Sequence, residues 1–269
     1  MNEHVGHPQV LLDPAILAVI GLALAAVVYL GAALAEIRRG NRGWPWFRAV
    51  LWLAGLGCGA AAVVGPLAEA AHAEFPAHMI AHLLVGMLAP VLLVLAAPIT
   101  LALRTLHVVP ARRLARLLGS GVGRFLSHPV PAATIHVGSL WLLYTTGLGA
   151  AMLQNPMLHY LLLIHFLVAG YLFTTSIIGV DPAPHRASFR LRLIVLVLAI
   201  ALHSALAKYI YVHPPQGITA PAAELGALLM FYGGDLIELV VVTVFFSQWY
   251  GRTRTSPART GVALGDTAR

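Results

Sequence analysis

Apolar residues fill long stretches of this 269-residue chain, and polar positions gather in short breaks between them. The apolar runs fall at roughly 12–35, 46–68, 78–103, 130–150, 157–178, 190–211 and 225–248. Each is about twenty residues long or longer, enough for a helix to cross a bilayer. The pattern predicts an all-α, polytopic integral membrane protein of about seven transmembrane helices. The connections are short, so residues 1–250 read as one transmembrane helical domain. The longest connection, "PARRLARLLGSGVGRFLSHP" (110–129), sets Leu114, Leu117 and Leu118 on one helical face with arginines opposite. That predicts a short helix lying in the membrane interface. The polar tail, residues 251–269, is rich in Thr, Arg and Gly. It is expected to be a disordered cytoplasmic segment.

Composition supports the membrane reading. The chain is 59% hydrophobic and 10% charged, where a soluble domain carries about 25% charge. The surplus apolar surface is lipid-facing. The leader "MNEHVGHPQV" lacks the basic region of a cleaved signal peptide, so the first run is expected to be a span. Cys58 is the single cysteine, which excludes an internal disulfide, a CxxC redox pair and a CxxCH haem attachment. Within "GLGCGAA" it reads as a small packing residue.

The net charge of +7 would suit a nucleic-acid partner, but its distribution does not. Arg38, Arg39, Arg42 and Arg48 gather at the junction of runs one and two. Arg104, Arg112, Arg113, Arg116 and Arg124 lie between runs three and four, and Arg186, Arg190 and Arg192 between five and six. Arg252, Arg254, Arg259 and Arg269 form the tail. The other breaks carry no Lys or Arg, and only Lys208, near the end of run six, departs from the alternation. Positive charge on every second connection is the positive-inside pattern of seven spans. It places the N-terminus outside and the C-terminus in the cytoplasm, with anionic membrane lipid as the counter-charge and no nucleic acid.

Candidate chemistry sits in the outer half of this arrangement. "AEFPAHMIAHLLVGM" (73–87) opens run three with His78 and His82, four residues apart, and Met79 between them. A helix brings the two histidines to one face, about 6 Å apart along the axis. Such a pair chelates metal in HExxH zinc proteases, but "HMIAH" lacks the glutamate that would act as base. Run five brings His159 near the outer surface and His165 about 9 Å deeper, on different sides of the helix. Either could complete a site with the run-three pair. His203 lies on run six. Asp235, after two glycines in "YGGDLIEL", is placed near mid-membrane on run seven beside Glu238. Unpaired there, an acid costs roughly 2.5–3.5 kcal/mol, so His203 or Lys208 is expected to partner Asp235. His72, His213, Met152 and Met157 add donors on the outer side. Imidazole suits copper and zinc, and thioether favours cuprous ion. Ordinary packing is the competing explanation for each histidine, for each methionine and for Asp235. His136 reads as structural and His128, before Pro129, as a helix-start residue. His4 and His7 are expected to be solvated.

"GPLAEAAHAEFPAHMIAHLLVGMLAPVLLVLAAPITLALR" resembles the stretch that marks the CtaG family of cytochrome c oxidase assembly factors, seven-span bacterial membrane proteins. "HPVPAATIHVGSLWLLYTTGL" and "LHYLLLIHFLVAGYLFTTSIIGVDPAPHR", with its Asp181–Pro182, are similar to the spans that follow. The resemblance covers roughly residues 45–250. It implies a role in maturing the haem–copper oxidase, with copper handled at the outer face and oxidase subunits as partners. The last span departs from the family, whose entry there is often rich in Asp, Gln and Gly: here it reads "PAAELGALLMFYGGDLIEL", with Glu224 as the remnant of the acidic feature.

The combined reading is a multi-pass protein of the bacterial plasma membrane that assists oxidase assembly and is not an enzyme. It binds copper, as Cu(I), through His78 and His82, with His159 or His165 as third ligand and Met79 as a soft one. His203 and Asp235 supply a supporting shell or transfer step, and a copper donor protein is a further candidate partner. The rivals are a haem-binding redox protein ligated by His82 and His165, a copper or proton transporter using Asp235, and a scaffold whose histidines only pack.

Overall fold

The computed structural model describes residues 14–40, 43–182 and 186–254. His4, His7, Arg42 and the tail beyond Arg254 lie outside the described residues. Among the described residues the chain is helical with no β-strand. Six helices are long and apolar enough to cross a membrane: α1 (Pro14–Arg38), α2 (Trp46–Val63), α4 (Phe75–Leu95), α10 (Pro156–Ile178), α11 (Phe189–Val212) and α12, whose apolar part is Ala220–Gly251. Shorter helices join them: α3 (Pro66–Ala73), α5 (Pro98–Thr105), α6 (Val108–Leu118), α7 (Gly121–Leu126), α8 (Pro129–Thr145) and α9 (Leu148–Gln154).

Helix α4 is the axis of the bundle. Of its most apolar window 61% is buried inside the protein, against 6% for α1. It packs against α2, α10 and α12, while α8 lies against α10 and α11. The middle of α4 is a π-helical turn, Leu83–Leu88, in which the Ala89 N–H donates to the Leu84 carbonyl. Pro90 supplies the cause, since it has no N–H for the Gly86 carbonyl and its ring crowds the preceding turn. The widened turn presses the Gly86 carbonyl onto α10 at Gly170, where a Cβ would collide with it.

Run three does not form one helix over 78–103. It ends at Leu95, and Ala97 takes a left-handed conformation (φ 53°) before Pro98 opens α5. The reason is distant in sequence. The buried Asp181 carboxylate accepts from Ile99 N–H (3.2 Å), Thr100 N–H (2.7 Å) and the Thr100 hydroxyl (2.5 Å), capping α5 from the chain that follows α10. On the same side Arg192 donates to the Ile177 carbonyl (2.6 Å) and Arg186 donates to that of Gly179. Cations at a helix C-terminus are the favourable end of its dipole. This is the arginine-rich end of the bundle, and the exposed helix α6 projects beside it with no buried residue.

Run two ends at Val63 because Gly65 has φ 90° and Pro66 starts α3, which carries His72. Run four divides into α8 and α9; His128 Nδ1 accepts from Val130 N–H (3.4 Å) at the start of α8, the helix-start role expected of it. The last helix runs from Ala220 to Arg254 without interruption at Gly233 and Gly234. They serve close packing: a Cβ on Gly233 would meet Leu83 Cδ1 at 2.5 Å, and one on Gly234 would collide with the His203 ring.

Candidate functional site

Three cavities lined in part by polar side chains follow one another along the bundle from the end opposite the arginines, and a further one lies at the arginine-rich end beside Asp181. The first is an open vestibule of about 470 Å³, bordered by His72, Glu74, His78, Tyr144, Met152 and His213. The second, of about 30 Å³, is lined by His78, His82, Gly86, Tyr144, Met152 and His159. The third, also of about 30 Å³, is lined by Gly86, His136, Thr174, His203 and Glu238 among apolar residues. His78, Tyr144 and Met152 border the first two cavities, and Gly86 borders the second and third.

The sequence positions the second cavity directly. Pro76 opens α4 and places His78 and His82 on consecutive turns of one face. The ring of Tyr144, from α8, lies 6.5 Å from His78 and 6.4 Å from His82. Asn155 caps α10 by accepting from Leu158 N–H (3.2 Å), which sets His159 in the first turn. The His159 ring lies 4.8 Å from His72, whose Nδ1 is 2.6 Å from the Ala68 carbonyl. His82 and His159 are buried, His78 is half-buried and His72 is exposed. His82 Nε2 is buried without a hydrogen-bond partner. Gly86 makes room for this ring: a Cβ there would lie 3.1 Å from His82 Cε1.

Not every expected donor joins the pair. His159 shares the cavity with His78 and His82, whereas His165 lines none of the three cavities and packs its ring 5.3 Å from Phe166. Met79 is fully buried in the core with Leu140, Leu206 and Met230, and its sulfur accepts from the Tyr144 hydroxyl at 3.7 Å. It occupies the helix face turned away from the cavity, and Met152 supplies the sulfur-bearing wall instead. Among the described residues no three His, Cys, Asp or Glu side chains come together as a metal-binding group. His82 and His165, the two axial ligands a haem would need, do not meet at one cavity: His82 lines the second and His165 none of these three.

Asp235 requires a correction. It is exposed on the outside of α12, and neither His203 nor Lys208 pairs with it among the described residues. Lys208 is itself exposed, with Nζ 5.4 Å from the Phe231 ring. The acid facing the interior is Glu238, whose Oε1 stands 3.3 Å from His203 Nδ1. Residues three apart on a helix differ by about 60° in direction, which suffices to exchange one carboxylate for the other. Sequence reasoning also passed over Tyr144, for which the chain carries no signal beyond an aromatic near a helix end.

The family model of the cytochrome c oxidase caa3 assembly factor matches residues 27–252. An uncharacterized protein of Mycobacterium leprae is 32% identical over 250 residues, 84% of this chain and 38% of that protein. Uncharacterized proteins of Mycobacterium bovis and Mycobacterium tuberculosis are each 39% identical over 182 residues, 64% of this chain and 27% of theirs. The chain therefore spans well under half the length of these relatives. No solved structure matches it. Family match and histidine-bearing helices coincide along the sequence: the chain belongs to the cytochrome c oxidase caa3 assembly factor family.

Proposed function

We propose that this chain assists cytochrome c oxidase assembly from within the bacterial plasma membrane, taking a cuprous ion as cargo at its outer face through His78, His82 and His159. The observation that carries the reading is the convergence of these three histidines, from two helices, on one cavity beside an open vestibule. The i, i+4 pair on α4 is the primary chelate, and His159 completes it by a rotamer change. Low coordination suits a cuprous ion, and soft thioether favours it over zinc; Met152 lies in the same wall. Burial beside an open entrance suits a cargo that must be shielded and then released.

Helix α8 is the seventh span in this reading. Its 17 residues extend about 26 Å, near the lower limit for a crossing. Counting it restores the alternation of basic connections, which puts the histidine-rich end outside and the C-terminus in the cytoplasm. Oxidase subunits are the partners this role requires.

A cuprous-ion competition titration on the full chain in detergent tests the site. His78→Ala/His82→Ala, monodisperse and as helical as wild type, is expected to bind at least a hundredfold more weakly at this site. Unchanged affinity at every equivalent would remove copper from the histidine pair and leave it a packing role.

A further inference from the structure

The third cavity has no task in the reading above, yet it holds the least satisfied polar groups in the described bundle. His136 from α8, His203 from α11 and Glu238 from α12 are 6%, 3% and 9% exposed. His136 Nδ1, both His203 ring nitrogens and Glu238 Oε2 lack a hydrogen-bond partner among the described residues. Each buried polar atom left unpaired costs about 1–3 kcal/mol. Even with His203 Nδ1 turned toward Glu238, the three that remain around one cavity call for an occupant. A volume of about 30 Å³ admits an ion or water and excludes an organic ligand.

The donors indicate which ion. Glu238 Oε1 approaches His203 Nδ1 to 3.3 Å, short of hydrogen-bond alignment. A carboxylate behind one ring nitrogen fixes the tautomer of a metal-binding histidine and leaves the other nitrogen for the ion. Here the free nitrogen is Nε2. Gly234 keeps the ring seated, because any Cβ at that position would collide with it. Glu238 is the one acid in the cavity lining. A monovalent ion is neutralised by it, while a divalent ion leaves net charge in an apolar interior, which is costly. Structural zinc takes four ligands, and no group of even three comes together among the described residues. A cuprous ion accepts two imidazoles.

We propose that His136 and His203, with Glu238 as a positioning residue, form a second, membrane-interior site for a cuprous ion. The proposal rests on copper being the cargo of the outer site. Gly86 lines both cavities and presents no side chain between them. It stands in the π-helical turn, a distortion that recurs at functional sites.

The test counts cuprous equivalents on the detergent-purified full chain, by anaerobic competition with a chromophoric chelator. Wild type is expected to bind two. His203→Gln and His136→Gln, on different helices so that a folding failure in one leaves the other, should each bind one. Glu238→Gln should retain two, with the second weakened about ten- to a hundredfold. His78→Ala/His82→Ala should also bind one, held by the inner pair. Loss of an equivalent in His78→Ala/His82→Ala with none lost in His203→Gln or His136→Gln would overturn the inner site alone. The reverse would overturn the outer site and leave the inner one standing.

Discussion

The second and third cavities have the same volume, about 30 Å³ each, and differ in their neighbours. Around the second, His78 is half-buried, His72 is exposed beside His159, and an open vestibule adjoins. Around the third, all three titratable side chains are buried, Glu238 faces His203 at 3.3 Å, and His136 Nδ1, His203 Nε2 and Glu238 Oε2 have no partner among the described residues. Histidines near an open mouth can exchange a ligand with a partner outside at little cost to the fold. An acid and two histidines that are themselves buried among apolar side chains couple whatever they bind to the stability of the bundle. Outer-site substitutions should therefore change binding more than stability, and inner-site substitutions should change both.

Glu238→Ala should break this contrast most visibly. It removes one partner of a buried pair, a change that typically costs about 3–5 kcal/mol, and thermal unfolding in detergent should fall accordingly; unfolding like that of wild type would show that Glu238 is not engaged. Gly86→Leu comes next. It places bulk against His82 and the Gly170 contact, an overpacking worth about 1–3 kcal/mol. It should also impair copper uptake at both sites, which separates it from a change that only destabilises. Tyr144→Phe should lose about 0.5–1.5 kcal/mol with the hydroxyl that donates to the Met79 sulfur, leaving the copper count unchanged. The smallest effect is expected from Asp235→Asn. This side chain is exposed on α12 and pairs with neither His203 nor Lys208, so stability in detergent should move by no more than about 0.5 kcal/mol. A loss as large as that of Glu238→Ala would reverse the assignment of the two acids.

These two acids also mark where the sequence stops being legible. Apolar length announced six of the helices, and the i, i+4 spacing placed His78 and His82 on one face. Helix α12, however, is apolar on all sides, so nothing in its pattern says which face turns inward. The inward row becomes visible only in the fold, as Met230, Gly234, Glu238, Val241 and Phe245. The same ambiguity decides Met79 against Met152, and His159 against His165. The stop after Leu95 was hidden for another reason: the Asp181 that caps α5 lies 81 residues beyond Thr100. Local spacing survives folding, whereas choices made by a neighbouring helix have to be seen.

The central claim, that the outer histidines handle copper for the oxidase, is met most directly by the copper-to-haem ratio of the oxidase itself. It would be measured in membranes of cells that carry this protein either as wild type or as His78→Ala/His82→Ala, at equal abundance. The account predicts an oxidase that retains its haem and is depleted of copper in the variant. An equal ratio in both would contradict it and leave the histidine pair with a structural task.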